Sequence, residues 1–264
     1  MGVGAREHTR QAARYRASAR SRGPGAPSLL WAEGIAAGGG ILLFPTPAAG
    51  GQDEELSRRG LSVAVALIGM VLAAPLALII AALIKLTSPG PVLYTQLRVG
   101  MDRRHPRSPM QSGRRVDDFG GRLFRIYKFR TMHEGADACG QVWATEDDPR
   151  VTAVGQMLRK TRLDELPQLI NVLRGDMNIV GPRPEQPDIF RRLRVEVPGY
   201  DLRQQVRPGI TGLAQVCQAY DRDVEDVRRK LRFDLEYVRN SSPAEDLRIM
   251  LRTFPVMLTR TYGW

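Results

Sequence analysis

The sequence predicts an α+β fold, mostly helical, attached to one membrane-inserted helix. Three observations carry that reading. Leu61 to Ile84 is a run of 24 residues without a charge, and about 20 apolar residues suffice to match a bilayer core. Two short segments, Val92 to Gln96 and Leu123 to Arg130, alternate in side-chain character as strands do and predict a small β-hairpin or sheet. Leu166, Leu169, Ile170 and Leu173 recur at helical spacing, as do the apolar positions of Val224 to Tyr237 and Ala244 to Thr259. The last two stretches carry many arginines, a pattern that suits amphipathic helices in a membrane interface.

Taken in order, residues 1–55 are rich in Arg, Ala, Gly and Pro, with runs such as Gly38-Gly39-Gly40. Such a stretch buries too little apolar surface to fold alone, so a disordered tail is expected. The apolar run that follows is bracketed by Arg58 and Arg59 on one side and Lys85 on the other. Three readings compete for it: a straight span, a twin-arginine export signal, or a re-entrant helix bent at Pro75 with both ends on one face. The export signal starts too far into the chain and is too long in its apolar part. Charges at both ends agree with two cytoplasmic ends, and an interior proline removes a hydrogen bond and kinks the axis. Hydropathy by itself ranks the straight span first, since spanning helices tolerate proline.

Beyond it, Thr87 to Pro91 is a turn, and Met101 to Gly121 is polar and Arg-rich and reads as a solvated loop. The strand Leu123 to Arg130 mixes apolar and basic residues, which predicts one basic face. Val151 to Lys160 reads as a helix, and Gly181-Pro182-Arg183-Pro184-Glu185 and Arg207-Pro208-Gly209-Ile210-Thr211-Gly212 as rigid loops, each carrying an arginine.

Composition narrows the function classes. The 264 residues carry a formal charge of +11, with a pI near 10.3, which points to nucleic acid, anionic lipid or a phosphorylated substrate as partner. Cys139 and Cys217 are isolated, against a disulfide scaffold, and His8, His105 and His133 are scattered, against a His-built metal site.

The chemistry centres on Asp164-Glu165. Two adjacent carboxylates follow a basic run of Arg159, Lys160 and Arg162 and precede the helical pattern of Leu166 to Leu173. Asp164 reads as an N-cap, with Pro167 in the first turn, where its missing N–H costs nothing. A helix start flanked by arginines favours anions, so phosphate chemistry with a carboxylate as nucleophile or metal ligand is one reading. An ordinary acidic helix cap is the other.

Six stretches together settle on a family. They are Ser88-Pro89-Gly90-Pro91-Val92, Gln96-Leu97-Arg98-Val99-Gly100, Tyr127-Lys128-Phe129-Arg130-Thr131-Met132, Asp164 through Leu173, Val180 through Glu185, and Arg207 through Val216. From about Leu56 onward the chain resembles the bacterial sugar transferases, the monotopic phosphoglycosyl transferases. The resemblance implies transfer of a sugar 1-phosphate from a UDP-sugar to polyprenyl (undecaprenyl) phosphate, with release of UMP, at the start of surface-glycan assembly. It implies Asp164 as the nucleophile that forms a phosphosugar-aspartate, with Glu165 as its partner and Mg²⁺ held by Asp164 and Glu165. It makes Arg98, Lys128, Arg130, Arg162, Arg183 and Arg207 candidates for the substrate phosphates; Arg183, between two prolines, is the most preorganised of them. Asp176 and Asp234 match acidic positions whose role is left open.

The resemblance also implies a fold: a monotopic membrane protein with one re-entrant helix broken at Pro75, a small β-hairpin or sheet, and amphipathic interfacial helices. The family's break is usually Ser-Pro; here it is Ala74-Pro75. The expected organisation is a tail at 1–55, the membrane helix at 56–86 and a catalytic domain at 87–264. That domain is expected on the cytoplasmic side of the bacterial inner membrane, in contact with UDP-sugar, polyprenyl phosphate and lipid, and not with nucleic acid. Assembly into oligomers, the sugar and the glycan pathway are left open. The competing class is a membrane-tethered nucleic-acid or anionic-lipid binder, which the low aromatic content disfavours. Glycoside hydrolysis is disfavoured because adjacent side chains do not straddle one bond.

Overall fold

A computed structural model describes residues 52–102, 119–136, 148–218 and 223–259. The tail up to residue 51, nearly all of the Arg-rich loop after Met101, and Cys139 lie outside the described residues.

The first helix, α1, spans Gln52–Thr87 and contains Pro75. It begins four residues ahead of the expected boundary, with Asp53, Glu54 and Glu55 in its first turn, where carboxylates complement the helix dipole. Helical structure continues through Pro75, so the segment is one element of 36 residues rather than two. One proline removes one N–H, and the hydrogen bonds on either side are enough to carry the helix through it.

What α1 touches is decided by a single stripe. Arg58, Ser62, Ala66, Ile80, Ile84 and Ser88, at the turn just beyond the helix, are buried. Leu67, Ile68, Val71, Leu72, Leu78, Ile79 and Leu86 are exposed, apolar as they are. Both ends of the stripe meet the same domain. Near the start, Arg58 pairs with Asp246 at 3.2 Å and Arg59 donates to the carbonyls of Val172 and Met177. Near the end, Ile80 and Ile84 join Phe129 and Leu158 in one apolar cluster, where each buried side chain contributes about 1.5–3 kcal/mol.

Strands β1 (Leu93–Val99) and β2 (Leu123–Phe129) pair antiparallel, Leu93 opposite Phe129 and Val99 opposite Leu123. The expected basic face on β2 is not formed. Arg125 is exposed on one side, whereas Lys128 shares the other with buried Phe124 and Ile126, because side chains two apart share a face. Helix α2 (Ala153–Thr161) packs Gly155 directly on Thr131, where a Cβ would run into the carbonyl. Helix α3 (Gln168–Arg174) follows, then β3 (Asn178–Val180).

The segment read as a loop at Arg207 to Gly212 contains a strand, β4 (Gly209–Thr211), parallel to β3. Three residues between glycine and proline punctuation leave no alternation to detect. Gly181 and Gly209 allow the close crossing, since a Cβ on either would meet backbone of the other segment.

Helix α4 (Pro187–Glu196) carries Phe190 and Leu193 into the second core, with Val99, Val197, Tyr200, Val227 and Leu231. After a 3-10 segment, Tyr200–Gln205, and the short α5 (Leu213–Cys217), come α6 (Val224–Asn240) and α7 (Pro243–Thr259). The interfacial expectation divides between the last two. Helix α6 spends its apolar face, Val227, Leu231, Tyr237 and Val238, inside the domain. Helix α7 leaves Leu247, Leu251 and Phe254 exposed at helical spacing.

Candidate active site

The acidic pair sits in a short 3-10 turn, Leu163–Glu165, rather than at the start of α3. Helix α2 begins with Thr152, whose hydroxyl accepts from Gly155 N at 2.9 Å, and ends at Arg162 in the left-handed region, φ 57°. That is the one non-glycine with positive φ among the described residues, a conformation that costs an ordinary side chain roughly 1–3 kcal/mol. It reverses the chain so that Glu165 N donates to Arg162 O and Leu166 N to Leu163 O. Helix α3 then starts at Gln168 after Pro167, and no side chain caps it. Asp164 is therefore not an N-cap, and its carboxylate is left for other partners.

Asn171 docks this turn onto the hairpin. Its Oδ1 accepts from Tyr127 N at 3.1 Å and its Nδ2 donates to Arg125 O at 2.7 Å, continuing the edge of β2 as a strand would. Lys128 thereby faces the acidic pair from β2.

The two carboxylates are both buried but are held differently. Glu165 Oε1 lies 2.7 Å from Lys128 Nζ and 2.8 Å from Arg183 NH2. Burial pushes its carboxyl up, but Arg183 and Lys128 outweigh that and hold it well below the usual range. Asp164 Oδ2 is 3.9 Å from Lys128, its one ion-pair partner among the described residues. Burial raises Asp164, with Glu165 adding to the rise and Lys128, Arg183 and Arg159 opposing it. Neighbours in sequence thus become an anchored carboxylate and a loosely held, desolvated one.

Of the six predicted phosphate-binding residues, the structure brings Lys128 and Arg183 to the pair. Arg98 donates to the Pro184 carbonyl and to Gln96, and burial lowers it to about 10. Arg130 donates to the carbonyls of Ser88 and Pro89, tying down the turn after α1. Arg207 pairs with Glu55 of α1 at 2.6 Å and lines a shallow cleft with Arg122 and Asp176, whose lining includes neither member of the acidic pair. Arg162 contributes the backbone reversal just before the pair.

Sequence reasoning placed Arg159 in the basic run but not among the phosphate-binding candidates; its charge acts on Asp164 and its Nε donates to Thr131 at 2.9 Å. Sequence reasoning missed Arg203, which forms a buried ion pair with Asp234 at 2.7 Å, so Asp234 acts as a structural counter-ion. Arg159 stood in the basic run before the pair, a usable signal; Arg203 had none. No group of three or more His, Cys, Asp or Glu side chains is placed to hold a metal among the described residues.

The family model for the bacterial sugar transferases matches residues 53–260, from α1 to the C-terminal end of α7. The chain belongs to the bacterial sugar transferase family. It is 43% identical over 202 residues to a UDP-N-acetylgalactosamine-undecaprenyl-phosphate N-acetylgalactosaminephosphotransferase of Aeromonas hydrophila, covering 76% of this chain and 44% of the relative. It is 42% identical over 207 residues to a UDP-glucose:undecaprenyl-phosphate glucose-1-phosphate transferase of Caulobacter vibrioides, covering 78% of this chain and 71% of the relative. A further relative, the exopolysaccharide production protein PSS of Rhizobium leguminosarum bv. phaseoli, is 36% identical and is covered over 98% of its length. The sugar transferase match contains every site residue described above and excludes the tail ahead of α1.

Proposed function

We propose that the protein transfers a sugar 1-phosphate from a UDP-sugar to polyprenyl phosphate through a covalent intermediate on Asp164. The observation that carries this reading is the contrast within the pair: a desolvated, loosely held Asp164 beside a Glu165 locked to two cations. A carboxylate is a competent nucleophile when it is stripped of water and the developing phosphate charge is met by fixed cations. The names of the relatives supply the substrate classes.

In the first step an Asp164 oxygen attacks the β-phosphorus. The bond from that phosphorus to the bridging oxygen breaks, and UMP leaves with the electron pair. In the second, an oxygen of polyprenyl phosphate attacks the same phosphorus and Asp164 departs as a carboxylate. The product is a polyprenyl diphosphate sugar, and no net proton is exchanged. Lys128 and Arg183 stand where they would balance the diphosphate charge, and Arg159 adds a longer-range contribution.

The donor set fits a magnesium ion that arrives with the diphosphate, because such ions take one or two carboxylates and draw the rest of their ligands from phosphate and water. Asp164 would hold it; Glu165 is a poor ligand, with Oε1 already shared by Lys128 and Arg183. Bound there, the ion would neutralise charge on the departing phosphate.

We place α1 in one leaflet, with the catalytic domain at the cytoplasmic face of the inner membrane. Two features support this. The helix is long and apolar enough to enter a bilayer, with only 11% of its most apolar window covered by protein. Both its ends are also fastened to one domain, which a helix spanning to the far side would not permit. The exposed Leu247, Leu251 and Phe254 of α7 offer a second lipid contact.

The test is incubation of membrane fractions with polyprenyl phosphate and a panel of UDP-sugars, reading UMP release. Release with one UDP-sugar that depends on the lipid supports the reading; no release with any sugar sinks it.

A further inference from the structure

We infer that Arg203 is a positioning residue for the proposed transfer: it grips the backbone of the Pro182-Arg183-Pro184-Glu185 loop and so aims Arg183 at Glu165 and the substrate phosphate. The inference rests on the function proposed above and adds a residue to it.

The loop cannot hold itself. Pro182 and Pro184 have no N–H to give, so its shape depends on what binds its carbonyls. All four are bound. Gly209 N donates to Pro182 O at 3.0 Å and Val99 N to Glu185 O at 2.9 Å. The two central carbonyls, on either side of the Pro184 ring, take side-chain donors instead: Arg203 NH2 to Arg183 O at 2.9 Å, and Arg98 NH1 to Pro184 O at 3.2 Å.

Arg203 is itself immobilised. It is 4% exposed, and NH2 also meets Asp234 at 2.7 Å, while NH1 donates to the Tyr200 hydroxyl at 2.8 Å. Its guanidinium lies over the Tyr200 ring, 5.0 Å from the centroid. Glu185, at the end of the same loop, sits 3.4 Å from Arg203 NH1 and 2.9 Å from Lys230. A planar fork reaches the Arg183 carbonyl, the Tyr200 hydroxyl and the Asp234 carboxylate from its two terminal nitrogens at once, which an ammonium on a flexible stem does not.

This arrangement gives the buried network a purpose. Two ion pairs inside a core are expensive to desolvate, and hydrophobic residues of similar volume would serve stability as well. What hydrophobic residues could not do is donate to a carbonyl next to the residue that holds the catalytic pair. The line of action runs Asp234 to Arg203, Arg203 to the Arg183 backbone, and the Arg183 side chain to Glu165.

The test compares wild type, Arg203→Lys, Arg183→Ala and the double variant in UMP release across pH, with thermal melts in detergent as a folding control. Arg203→Lys keeps the charge facing Asp234, so it is expected to fold; should it not, Arg203→Met combined with Asp234→Asn removes the pair together. Kcat should fall by roughly 10- to 100-fold, the size expected from a misplacement of about 1 Å. The acid limb of the rate profile should move to higher pH, because Arg183 then screens Asp164 less. The double variant should be no slower than Arg183→Ala alone, since both act through one group. Losses that multiply in the double variant, with an unshifted acid limb, would overturn the inference and reduce Arg203 to a structural residue. A wild-type protein that releases no UMP would instead overturn the functional reading itself.

Discussion

Lys128 and Glu165, thirty-seven residues apart in the chain, are joined by a hydrogen-bonded ion pair of 2.7 Å that sits directly beside Asp164. The pair explains how two carboxylates in succession acquire opposite characters. Glu165 is the close counter-ion of Lys128 and Arg183, and Asp164, on the preceding residue, shares the field of those cations through one long contact, 3.9 Å to Lys128.

Asp164→Asn should lower turnover by at least roughly 10³-fold, the scale seen when a nucleophile is removed. It should also eliminate the phosphosugar adduct in intact-mass spectra of protein mixed with UDP-sugar alone. The same variant should melt at a higher temperature at neutral pH. A group raised by burial contributes stability below its unfolded value and loses it as pH rises through the folded one, so the neutral asparagine lifts that cost.

Lys128→Met should shift the acid limb of kcat/KM upward. In the proposed transfer Asp164 attacks as a carboxylate, and Lys128 is the first of the charges opposing the rise that burial imposes. An acid limb that stays put, measured over about pH 5–8, would assign the limb to another group.

Glu165 and Glu185 both lie below the usual carboxylate range, burial being outweighed by Arg183 and Lys128 for the first and by Lys230 and Arg203 for the second. Depressed groups contribute stability above the unfolded value of about 4.3 and lose it as pH falls through the folded one. Melting temperature should therefore drop steeply below about pH 4, and Glu165→Gln should flatten that slope. At neutral pH the same variant, by leaving two part-buried cations without their shared carboxylate, should cost about 1–3 kcal/mol.

Arg58→Met should destabilise the protein by about 3–5 kcal/mol, because it strands Asp246 against Tyr237 in the core. Adding Asp246→Leu should restore most of the loss, as exchanging a whole buried pair for apolar groups is often neutral. Equal melting temperatures for the single and double variants would show that this contact does not fasten α1.

Much of the architecture was legible in the order of residues. The apolar run of α1, the alternation of β1 and β2, and the spacing in α3, α6 and α7 are local patterns, and local patterns survive into the fold. Six motifs were enough to place the family. The short β3–β4 pairing was hidden, because three-residue strands among glycines and prolines owe their geometry to each other rather than to their own residues.

The sequence by itself determined the types of the longer elements, the apolar stretch of α1 and the adjacency of the acidic pair. Only the tertiary structure decided what each charge does. Arg58 meets Asp246 across 188 residues, Arg98 meets Pro184 across 86, and Arg130 meets Ser88 across 42. A basic residue reads the same in a sequence whether it will face a phosphate, a carbonyl or a buried carboxylate. The difference lies in burial and in the partner folding brings to it, and that is why a net charge of +11 pointed toward anionic partners while several of these arginines are occupied within the protein.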